Sequence, residues 1–93
     1  MTEALLARLR SLPQLDEAPS QWTGGPAFWV DGREIVHLHE GFVEIRLTRR
    51  LIARFDDERV MRRSRTSDWV MVRVDELDLA VELTRQAIEA NRR

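Results

Sequence analysis

Residues 27–47, AFWVDGREIVHLHEGFVEIRL, decide the fold. Apolar and polar side chains alternate along them, the period of a strand that buries one face. Asp31-Gly32 interrupts the pattern with a pair that tolerates positive φ, the requirement of a two-residue hairpin loop. Glu40-Gly41 supplies a second turn. Three antiparallel strands are therefore predicted, over 27–31, 34–39 and 42–47. WVMVRV at 69–74 continues the alternation as a further strand, and Val60 and Met61 suggest a brief one at an edge.

Outward from this block the period becomes helical. Leu5, Leu6, Leu9 and Leu12 form one stripe, with Thr2 placed to cap it and Pro13 to end it. Residues 13–26, PQLDEAPSQWTGGP, read as a loop in which Trp22 is the one large apolar group available to pin it down. Thr48 caps a short helix carrying Leu51, Ile52 and Phe55, which Asp56, Asp57 and Glu58 break. Asp75 is placed to cap a last helix reaching about Asn91, with Leu77, Ala80, Val81, Thr84, Ala87 and Ile88 as its buried stripe. The order predicts one α+β domain over 1–93: a helix over 1–12, a loop over 13–26, and a core over 27–93. Its architecture is a two-layer sandwich, an antiparallel sheet of four to five strands with the helices on one face.

Composition narrows the function. The 93 residues are 43% apolar and 33% charged with a net charge of -1, the balance of a small folded domain. The absence of cysteine excludes disulfides, iron–sulfur clusters and thiolate-bound zinc. No apolar run approaches the roughly 18 residues of a membrane helix, and no secretory leader is read, so a cytoplasmic protein without membrane contact is expected. Gly-rich phosphate loops, nucleophile elbows, His-Glu-x-x-His and calcium loops are all missing, and no cofactor is expected. All 15 basic residues are arginine. Eight of them lie between Arg46 and Arg65 against three acids, whereas Asp75–Glu82 holds four acids and no base. These two patches are expected to meet each other, within one chain or across a dimer.

Alternation assigns Phe28, Val30, Val36, Leu38, Val43, Ile45, Leu47, Val70, Val72 and Val74 to the helix-covered face. The open face then carries Trp29, Ile35, His37, His39, Glu44, Arg46, Trp69, Met71 and Arg73. Four uses of such a face are open. It can be covered by a second copy or another protein, a homodimer being the simplest case. A ligand site can be built from His37, His39, Glu44, Arg46, Trp69 and Arg73, with Trp69 as a wall and an arginine for an anion. His37, His39 and Glu44 can hold a divalent metal, which would suit an enzyme. Arg49, Arg50, Arg54, Arg62, Arg63 and Arg65 can contact the phosphates of nucleic acid. The slightly negative net charge disfavours that last use. Glu34 is expected on the face opposite Glu44, so the two carboxylates form no acid–base pair, and nothing places a histidine beside Ser64 or Ser67.

The run GPAFWVDGREIVHLHEGFVEIRL at 25–47, followed by TRRLIARF, resembles a family of small bacterial domains labelled luciferase-like. Gly32, Arg33, Glu34, Ile35, His37 and His39 carry the family's first block, and Glu44 stands at its acidic position. Arg49, Arg50 and Arg54 suit its basic helix, while Ser67, Trp69 and Val70 suit its later strand. The likeness spans residues 25–93. The family's His-His pair ahead of the tryptophan is replaced here by Met61 and Arg62. The resemblance implies the α+β fold and no established activity. A non-catalytic binding or interaction module is the function expected.

Overall fold

The computed structural model describes residues 2–93. The helix α1 (Thr2–Arg10) is followed by β1 (Asp16–Pro19), β2 (Pro26–Val30), β3 (Arg33–His39) and β4 (Phe42–Arg46). Then come α2 (Arg49–Ile52), β5 (Met61–Arg62), β6 (Trp69–Arg73) and α3 (Leu77–Asn91). The strands form one antiparallel sheet in the order β1-β2-β3-β4-β6-β5. The α+β class holds, with six strands where four to five were expected. No described helix is long and apolar enough to cross a membrane.

The additional strand is β1, inside the stretch read as loop. All four of its residues, Asp-Glu-Ala-Pro, are exposed, so it offers no apolar alternation to read. Its acids and terminal Pro19 suit an edge strand, where charge and a missing N–H discourage pairing with another chain. Arg10 fastens α1 to β1 through two bonds to the Glu17 carboxylate, at 2.8 and 2.9 Å.

Both hairpin turns take the left-handed geometry that their sequences require. Asp31 and Gly32 have φ of 50° and 79°, Glu40 and Gly41 of 50° and 83°. Thr48 caps α2 by accepting the Leu51 N–H at 3.1 Å. Two expected caps differ. Thr2 is already helical, a one-residue shift. Glu76 rather than Asp75 precedes α3, and its side chain makes no capping bond. The Asp75 carboxylate instead faces Arg73 at 3.6 Å.

The core lies between the sheet and α1 and α3. Leu5, Leu9, Phe28, Val36, Val43, Ile45, Val70, Val72 and Leu83 are all buried in it. Asn91, a polar residue of α3, is buried because its amide nitrogen donates to the carbonyls of Arg46 and Ala87. The oppositely charged segments also meet inside the chain: Arg59 bonds Asp57 at 2.7 and 3.0 Å and Glu76 at 3.0 Å.

Ile45→Ala is expected to cost about 2–5 kcal/mol in urea melts, since it empties a fully buried site. Gly32→Ala fills open space and is expected to cost only the left-handed backbone, about 1–2 kcal/mol. The Arg59 hydrogen bonds lower the Asp57 pKa to about 2 from 3.8. A depressed carboxyl contributes fully above its unfolded value, so this contribution is intact above pH 3.8 and is lost as pH falls through about 2. Carboxyl NMR titration of Arg59→Ala should return Asp57 to its ordinary value.

Candidate functional site

The site originates in a conflict between a turn and an alternation. A two-residue loop at Asp31-Gly32 makes Val30 the partner of Arg33, and therefore Trp29 the partner of Glu34. Regular pairing would then set Phe28 against Ile35. The observed partner of Phe28 is Val36, and that of Ala27 is His37. One residue of β3, Ile35, is left over as a β-bulge, and it is fully buried within the apolar core.

The bulge reverses the faces of residues 33–35. Arg33 comes to the helix side, where its guanidinium reaches Asn91 Oδ1 at 3.4 Å. Ile35, expected on the open face, is in the core. Glu34, expected opposite Glu44, lies on the open face with it. This overturns the sequence expectation that the two carboxylates are kept apart.

His37 joins them. Its Nδ1 is 2.9 Å from Glu34 Oε2, and its Nε2 is 3.1 Å from Glu44 Oε2, its cross-strand neighbour. All three side chains are at most 4% exposed. Each nitrogen–oxygen contact is a hydrogen bond that requires one proton, whichever of the two atoms carries it. Glu34 is further held by the Ser20 hydroxyl and the Gln21 N–H, both donating at 2.8 Å. The Ser20 oxygen accepts the N–H groups of Trp22 and Thr23, both at 3.1 Å. Ser20 is thus the anchor of the β1–β2 loop.

That loop brings Trp22 over the open face. Trp22 stays 59% exposed, so it does not bury itself to pin the loop as expected; the Ser20–Glu34 bonds hold the loop instead. Trp22 meets Trp69 edge-on at 5.5 Å between ring centroids, and His37 at 5.7 Å. His37 and Trp69 are 4.8 Å apart. Between these rings opens a cavity of about 290 Å³, lined by Trp22, Thr23, His37, His39, Glu44, Arg63 and Trp69.

The second carboxylate oxygen of Glu44, Oε1, is buried and has no hydrogen-bond partner among the described residues. The nearest cation is Arg63, whose Nη2 stands 3.6 Å away on a half-exposed side chain. Trp29 Nε1 is also buried without a partner, but Trp29 is not part of the cavity lining.

Of the six ligand candidates, His37, His39, Glu44 and Trp69 line the cavity. Arg46 and Arg73 do not; Arg73 lies over the Phe42 ring at 5.9 Å. Glu34, Ser20 and Trp22 are not among the site residues expected from the sequence, and Arg63 is among them only as a contact for nucleic acid. The signal for Glu34 was present, because the Asp31-Gly32 loop and the Val36–Leu38 alternation demand opposite parities across one hairpin.

The metal trio is not assembled. Both nitrogens of His37 face carboxylates, and the His39 side chain is 53% exposed with Glu40 as its ionic neighbour at 3.8 Å. Among the described residues no group of three His, Cys, Asp or Glu side chains is arranged to hold a metal ion. Of the six arginines considered for phosphate contacts, Arg63 faces Glu44 and Arg62 donates to the Arg65 carbonyl at 3.1 Å. Arg49, Arg50, Arg54 and Arg65 make no ion pair among the described residues.

Glu34→Ala would leave the buried Ser20 hydroxyl and His37 Nδ1, and the part-buried Gln21 N–H, without their partner and is expected to cost about 3–5 kcal/mol in urea melts. Arg10→Ala, which breaks an exposed pair, should cost less than about 1 kcal/mol in the same measurement. No protein-family model, curated protein or solved structure matches this chain.

Proposed function

We propose that the chain is a non-catalytic binding module whose open-face cavity takes a small polar ligand. The observation that carries this reading is Glu44, a residue of the cavity lining whose buried Oε1 has no hydrogen-bond partner among the described residues. A buried acceptor left unmade is costly, and a ligand donor placed there offsets that cost. Two indole walls with polar groups converging between them, from Thr23, His37, His39, Glu44 and Arg63, suit a small polar molecule.

A binding role is favoured over catalysis by what the other polar groups are already doing. Ser20 donates to Glu34 and accepts two backbone N–H groups, so its hydroxyl is not poised as a nucleophile. Both ring nitrogens of His37 are engaged, which leaves no ring position to take a substrate proton. Membership of the luciferase-like family is part of the same proposal, resting on the block Gly32–His39 and on Trp69.

A panel of small amines, alcohols, amides and carboxylates, screened by tryptophan fluorescence, tests the reading. At least one class should give saturable quenching, and Trp22→Ala should weaken it about threefold or more. Trp22 is exposed enough that its loss should leave the melting temperature nearly unchanged. Absence of binding from every class, or binding indifferent to Trp22→Ala, would contradict the proposal. A DNA duplex that shifts the amides of Arg49, Arg50 and Arg54, and loses affinity steeply with salt, would move the function to the arginine segment.

A further inference from the structure

Building on the cavity's reading as a ligand site, we infer that the ligand is an organic cation, presenting an ammonium or guanidinium group to Glu44 in place of Arg63. The trio of Glu34, His37 and Glu44 buries two acidic side chains against one imidazole, and Glu44, which lines the cavity, keeps the acceptor Oε1 that no described residue bonds. Burial removes the water that would otherwise solvate that oxygen. An anion brought there would add a third acidic group to two buried ones, and a neutral donor would satisfy the hydrogen bond but bring no counter-charge to the carboxylate.

The walls favour the same class. Indole rings attract a cation placed over their faces, because the ring quadrupole is negative there. Trp22 and Trp69 stand at 89° to each other, so their planes form a corner, with His37 close to both. A cation seated in that corner meets aromatic surface on two sides and a carboxylate below.

The chain itself supplies an occupant of the right chemistry. The Arg63 guanidinium lies 3.6 Å from Glu44 Oε1, close enough for ionic attraction but too long for a hydrogen bond. Its side chain is 58% exposed, so solvent screens the pair and its release is cheap. Arg63 is therefore a weak internal competitor: a ligand cation that makes the short bond displaces it into water. Once it leaves, Glu44 is the acidic residue of the lining with no arginine beside it. The same head group can come from a free small molecule or from an arginine side chain on a protein partner.

The test is titration of the intact chain with n-propylguanidinium, followed by tryptophan fluorescence and by the indole N–H signals of Trp22 and Trp69. The neutral n-butanol and the anionic butyrate serve as controls at matched ionic strength. The cation should bind at least about tenfold more tightly than either control, the range of a charge-assisted hydrogen bond. Glu44→Gln keeps an acceptor for His37 and turns a donor toward the cavity, and it should cost the cation at least about tenfold. Arg63→Ala should strengthen cation binding about threefold or more, and because Arg63 is exposed it tests the idea even if Glu44→Gln fails to fold. A capped Gly-Gly-Arg-Gly-Gly peptide that binds more tightly than propylguanidinium assigns the head group to a partner chain; a peptide that binds more weakly assigns it to a free small molecule. Butanol or butyrate binding as well as the cation would overturn the cationic class while leaving the site intact. Unchanged affinity in Arg63→Ala would remove Arg63 as competitor. No binding by any of the three probes would overturn both this inference and the reading on which it rests.

Discussion

A single extra residue in β3 sets the rest of the site. The Asp31-Gly32 loop fixes the pairing of Val30 with Arg33, while Val36 must face the core opposite Phe28. These demands differ by one residue, and Ile35 absorbs the difference as a bulge. Because side chains alternate strictly along a strand, a shift of one residue exchanges the faces of everything beyond it. Glu34 is carried from the core side to the open side, where it meets His37. Without that exchange a carboxylate would enter the apolar layer beside Val30, and His37 would lose the partner of its Nδ1.

The consequences spread outward from Glu34. Its carboxyl group makes three hydrogen bonds, one shared with His37 and two accepted from the start of the β1–β2 loop. The loop is thereby tied to the sheet through a buried polar group, although its apolar residue, Trp22, remains largely in solvent. His37 is held from both ends, which orients Glu44 so that one oxygen is bonded and the other has no hydrogen-bond partner among the described residues. Fold and site are coupled here by hydrogen-bond accounting: the buried polar atoms that the fold satisfies are the ones that position the atom it leaves unsatisfied.

Much of this was legible in the sequence. The turns at Asp31-Gly32 and Glu40-Gly41, the alternation of β3, β4 and β6, the Thr48 cap and the apolar stripe of α3 are local signals, and local chemistry produced them. His37, Glu44 and Trp69 were placed on one face for the same reason. β1 was not legible, because an exposed edge strand of Asp-Glu-Ala-Pro has neither alternation nor β-branched residues. Trp22 could be seen as important but not located, since the position of a loop depends on what its backbone bonds across the sheet. Arg63 was read by composition as one of a basic run, whereas a single arginine's partner is decided by tertiary geometry. Glu34 is the instructive case. Alternation along β3 alone sends Glu34 to the core face, whereas the two-residue turn, which fixes how β2 and β3 pair, sends it to the open face.

The most direct test of this account is the set of nuclear Overhauser contacts from the His37 ring proton Hε1, which sits between the two ring nitrogens. Contacts to the side-chain methylenes of both Glu34 and Glu44, with the protons of the two nitrogen–oxygen contacts protected from exchange, are the predicted result. Glu34 methylenes that instead contact Val30 and α3 around Asn91, with those protons in rapid exchange, would contradict the bulge, the polar trio and the site built on them.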